Sequence, residues 1–170
     1  LINIIVLIVL VFFVGSRINI GGDWHNYLDQ FKGFSEIGFP SIAIFKASDP
    51  FYIFLNVISF ELNWGLVGAN YFCAFFFYFG AYIMLSRYKN FSFGILVNYL
   101  FLFLILSMGF TRQSLSVGFI YFFLYFFIEK KNIPALLCFL ISLASHKTSA
   151  VFFVIFFSYI FTKNLINSNN

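Results

Sequence analysis

Charge is what this sequence has least of. Lys, Arg, Asp and Glu make up 9% of the 170 residues against 62% hydrophobic, and mean hydropathy is +0.95. Charges this sparse cannot cover a water-facing surface, which excludes a soluble globular domain. Cysteine is scarce as well. Cys73 and Cys138 both lie inside apolar runs, where they read as small buried hydrophobes with no disulfide or metal role. Metal-ligand spacing, a nucleotide-binding glycine loop and a nucleophile elbow are all missing, so no metal and no cofactor is implied. Net charge is +4, but the basic residues are scattered at the ends of apolar runs. Such charges orient membrane spans, and nucleic acid is not an implied partner.

What remains is long apolar stretches that show no two-residue alternation, the pattern of membrane helices rather than a barrel. The expected fold is all-α: a polytopic helical membrane protein with about five transmembrane helices in a single membrane domain over residues 1–170. Leu1–Val14 is the first apolar run, and the chain opens inside it, as a piece of a longer protein would. Residues 17–50 form the longest polar segment, read as an extracytoplasmic loop. It holds one short helix near Trp24–Phe34, capped by Asp23, with Tyr27 and Phe31 on a shared face. Phe51–Asn63 carries Asn56, Ser59 and Asn63 along one stripe; too short to cross, it is expected to lie in the interface or dip partly in. Val67–Leu85, Phe93–Met108 and Ala150–Phe161 read as further spans. The 30 Phe residues are explained by A/T-rich codons and lipid-facing positions.

The most informative stretch is Gly109–Ser149. Two apolar runs, Leu115–Ile128 and Ile133–Leu143, are joined by the short charged turn Glu129-Lys130-Lys131-Asn132, which predicts a helical hairpin. A hairpin returns Arg112 and His146 to the same side. Arg87, Lys89, Lys130, Lys131 and Lys163 fall on the other side, and the bias of basic residues toward cytoplasmic turns puts Arg112 and His146 outside.

Arg112 sits at a helix N-terminus, where a guanidinium and free backbone N–H groups suit a phosphate; the plainer reading is an arginine reaching up to headgroups. His146 can serve as general base or as a phosphate ligand, or can simply be tolerated at the interface. Asp23 supplies a carboxylate on the same face, or merely a helix cap.

The order Gly21-x-Asp23-x-x-x-Tyr27, Asp49-Pro50, Arg112-Gln113-Ser114, and His146 with Thr148-Ser149 resembles the EpsG-type family of exopolysaccharide polymerases, which are Wzy-like membrane proteins. The resemblance spans roughly residues 21–157, and members of that family are typically longer than this chain. It implies a multi-pass protein of the bacterial cytoplasmic membrane that moves a glycan from undecaprenyl-diphosphate to a lipid-linked sugar, as in O-antigen polymerisation. It also implies a glycosyltransferase with Arg112 at the leaving diphosphate and His146 or Asp23 as base. Gln113, Tyr27 and Lys147 would be substrate contacts. Partners would be the lipid-linked glycan, the bilayer and other polysaccharide-assembly proteins. A transporter or flippase component, or a non-catalytic partner of an export complex, is the alternative.

Overall fold

The computed structural model describes residues 2–37, 49–87, 94 and 105–168, and every regular element among them is a helix. These are α1 (Ile2–Gly15), α2 (Trp24–Ile37), α3 (Pro50–Glu61), α4 (Gly65–Leu85), α5 (Thr111–Ile128), α6 (Asn132–Ser145) and α7 (Ser149–Ser168), with one further helical turn at Ser107–Gly109. The predicted hairpin is present. Helix α5 ends at Ile128, Lys130 takes a left-handed φ of 57°, and α6 begins at Asn132.

Helix α5 is the axis of the bundle, packed between α4 and α6. Its contact with α4 is backbone-close. A Cβ on Gly118 would stand 2.7 Å from the Phe76 carbonyl oxygen and 2.8 Å from the Phe77 Cα, so only glycine fits there. Its contact with α6 is polar. The Ser142 hydroxyl donates to the Ser116 carbonyl at 3.0 Å, and the Ser116 hydroxyl donates to the Ser142 carbonyl at 3.1 Å. In an apolar surround such bonds between small residues hold helices together where hydrophobic burial offers little.

Many small polar residues are inside and many of the apolar ones outside. Asn56, Ser59, Asn70, Ser114, Ser116, Ser142 and Ser145 are buried, while Ile4, Ile8, Phe12, Leu136, Leu140, Val154 and Phe161 are exposed. That arrangement suits a hydrocarbon surround rather than water. Only α4 among the described helices is both long and apolar enough to cross a membrane unaided. Against the expected count of about five spans, the described residues supply this one by length and composition: α1, α3, α6 and the apolar part of α7 are shorter, and Phe93–Met108 lies mostly outside the described residues.

Two local expectations change. Of the polar stripe Asn56, Ser59 and Asn63, the first two are buried within the bundle, each satisfied close by, while Asn63, beyond the end of α3, is exposed. Asn56 donates to the Tyr52 carbonyl at 2.8 Å and Ser59 to the Gly65 carbonyl at 2.5 Å. Phenylalanine does more than face lipid. Phe51, Phe76 and Phe119 tie α3, α4 and α5 together, and Phe123, Phe139 and Phe153 do the same for α5, α6 and α7, mostly edge to face.

Candidate active site

The end of the bundle at which α5 begins and α6 finishes gathers side chains from five parts of the chain. At its centre is Asp49, the residue before Pro50 at the start of α3, with its side chain only 3% exposed. Arg112 Nη1 donates to Asp49 Oδ2 at 2.8 Å. His146 Nδ1 lies 3.3 Å from Asp49 Oδ1, across the gap between α6 and α7. One carboxylate thus joins Arg112 and His146, which the hairpin alone brings only to the same end. Burial would raise the Asp49 carboxyl, but His146 and Arg112 outweigh it and hold its pKa below the ordinary value of 3.8. Asp49 is accordingly ionised at neutral pH, and its partner ring nitrogen on His146 is set to carry the proton.

Tyr27 joins the cluster from α2. Its ring lies under the Arg112 guanidinium at 5.2 Å and near the Tyr52 ring at 5.7 Å, and its hydroxyl reaches Asp23 Oδ2 at 3.4 Å. Burial raises the Tyr27 phenol in spite of Arg112, so it remains a neutral donor. What allows α2 to approach is Gly21. Its φ is +104°, and a Cβ there would meet the carbonyl oxygens of Met108 and Gly109 at 2.9 Å each, so the loop crosses directly over the turn that precedes α5.

Of the residues singled out from sequence, Arg112, His146 and Tyr27 meet in this cluster, and Asp23 sits at its edge through Tyr27. Gln113 is half-buried and Lys147 is exposed; neither shares a hydrogen bond or ion pair with Asp49. Two residues were not singled out as site residues. Asp49 was visible as the acidic member of the Asp49-Pro50 pair in the family resemblance but was given no part in the chemistry, and its side chain makes no cap bond. Arg17 reads as a basic residue ending a span, but it is 5% exposed and turned inward. Its guanidinium donates to the Ser107 carbonyl, to the Thr111 hydroxyl, and to Asn70 Oδ1 at 3.4 Å. Burial pulls its pKa down from the usual arginine value.

The described helices form an all-helical bundle with many apolar side chains exposed and with a carboxylate, a guanidinium and an imidazole gathered at one end. The chain belongs to the EpsG family, whose model matches residues 1–169. Membership ties it to polysaccharide biosynthesis. No curated protein and no solved structure matches the chain.

Proposed function

We propose that this chain is a polysaccharide polymerase. It transfers a glycan from undecaprenyl-diphosphate to a lipid-linked sugar acceptor at the outer face of the bacterial cytoplasmic membrane, which it crosses several times. The observation that carries the reading is Asp49 bridging Arg112 and His146 at 2.8 and 3.3 Å. With Nδ1–H directed at Asp49, the Nε2 lone pair of His146 is the free base. The acceptor hydroxyl oxygen bonds to the anomeric carbon, and its proton passes to Nε2. The anomeric C–O bond breaks, and its electron pair leaves on the diphosphate. Arg112 stabilises that developing charge.

The choice between His146 and Asp23 as base falls to His146, because it alone has a buried carboxylate to orient it and to stabilise the imidazolium that forms. Asp23, paired loosely with Tyr27, takes an acceptor-side place, and Gln113 and Lys147 are offered as sugar contacts. The test is polymer made by the purified full-length protein from a lipid-linked repeat unit. His146→Ala should abolish elongation while the variant binds lipid-linked substrate as before. Wild-type chain lengths from His146→Ala would remove the base, and with it the polymerase reading of this cluster.

A further inference from the structure

Arg17 is the only fully buried cation among the described residues, and it has no carboxylate. Four of the chain's six acidic residues are engaged elsewhere, and Glu61 is exposed at the end of α3. Asp49 is committed to Arg112 and His146, Asp29 to Lys32, Glu129 to Arg87, and Asp23 is bonded to Tyr27. A buried guanidinium held only by neutral acceptors is a costly arrangement.

Its position makes the imbalance larger. Thr111, which accepts from Arg17, is the first residue of the 18-residue α5, so the cation stands at the positive end of that helix, and Phe110 supplies no capping side chain. Beside it, Asn70 has turned its carbonyl oxygen to Arg17, and its amide Nδ2, 2% exposed as a residue, has no acceptor. Two more buried donors nearby, the Tyr52 hydroxyl and Arg112 Nε, are also without partners among the described residues. A cation without counter-charge, an uncapped helix end and an orphaned amide donor all lack the same thing, an anion rich in acceptor oxygens.

We infer that Arg17, Asn70 and the N-terminal end of α5 form a phosphoryl-binding position separate from the Arg112–Asp49 pair. This deepens, and as to source rests on, the polymerase reading. There the charge of Arg112 is already matched by Asp49, whereas a diphosphate brings more than one negative charge and needs a second cation. Arg17 is that cation, and its neutral acceptors are the groups the phosphoryl oxygens replace.

The discriminating variant is Asn70→Asp, which sets a carboxylate against Arg17 and supplies the missing charge from within the protein. The full chain in phosphatidylcholine nanodiscs is titrated with inorganic pyrophosphate, with a polyprenyl diphosphate, and by exchange into phosphatidylglycerol, with binding read calorimetrically and melting temperature recorded. Wild type should bind a phosphoryl probe saturably. Asn70→Asp should weaken that binding about tenfold or more, as loss of a charge-assisted contact does, while melting at or above the wild-type temperature. Arg17→Gln should weaken binding as much. A response to the diphosphates places a substrate group at Arg17, and a response to phosphatidylglycerol alone places a lipid headgroup there. No response to any probe, undiminished binding in Asn70→Asp, or a lower melting temperature for that variant overturns the inference. Binding that behaves as expected in a protein that makes no polymer refutes the polymerase reading and leaves the phosphoryl position standing.

Discussion

The two ends of the α5–α6 hairpin carry the same kind of interaction in opposite settings. At the turn, Arg87 of the α4 C-terminus pairs with Glu129, with side chains 35% and 29% exposed, and the guanidinium also lies over the Tyr125 ring at 5.2 Å. At the open end, Arg112 pairs with Asp49, whose side chain is 3% exposed and which also holds His146. The first pair is wet, can exchange water for its partner, and contributes little. In the second the carboxylate is enclosed while the Arg112 side chain stays 25% exposed, so removing Arg112 leaves the buried charge of Asp49 short of a partner. Burial, not the identity of the charges, separates a staple from a site.

The comparison breaks most visibly at Asp49. Asp49→Ala should destabilise the protein by about 1–3 kcal/mol, the usual consequence of leaving hydrogen-bonded groups without their partner, and should abolish polymer; denaturant melts in nanodiscs measure the first and gel analysis of surface polymer the second. A fully stable Asp49→Ala protein would mean that this pair is as wet as the one at the turn. Arg112→Lys keeps the charge but loses the planar fork. It should cost on the order of 10²–10³ in polymerisation rate with the protein still folded, and normal polymer from a well-expressed variant would leave Arg112 as a headgroup contact.

Acid sharpens the contrast. Because the folded-state pKa of Asp49 is depressed, its stabilising contribution is full above the ordinary carboxylate value of 3.8 and is lost as pH falls through the lower folded value. Melting temperature followed downward from pH 5 should therefore fall more steeply in wild type than in Asp49→Asn, and parallel curves would deny the linkage. Glu129→Gln should change stability by no more than about 1 kcal/mol and leave polymer untouched. A loss approaching that of Asp49→Ala would erase the distinction between the two ends. Smallest of all, Asp23→Asn should shorten polymer only mildly if its role is on the acceptor side, measured as modal chain length at equal protein abundance.

The hairpin was legible because a four-residue charged turn between two apolar runs leaves the chain no other course. That placed Arg112 and His146 at one end before any coordinates. Asp49 was harder to recognise, since an Asp before Pro at a helix start has an ordinary local explanation and its partners are 63 and 97 positions away. Arg17 was illegible for a different reason. A basic residue after an apolar run ordinarily reaches outward to water, and only the packing of α1 against α4 shows it turned toward Asn70. The inward stripe of α3 misled because polar spacing reveals which residues share a face, not whether that face meets water or another helix.

The crossed hydrogen bonds of Ser116 and Ser142 have a geometric consequence. Two smooth apolar helices can slide along each other at little cost, and a slip of one turn is about 5.4 Å. Such a slip would break both serine bonds at once, so the pair fixes the axial offset of α5 against α6 like a peg through two rods. Arg112 is four residues before one serine and His146 four residues after the other, each about one turn away. The spacing between the guanidinium and the imidazole on Asp49 is therefore gauged from within the apolar bundle, and Ser116→Ala with Ser142→Ala would loosen it without touching the site.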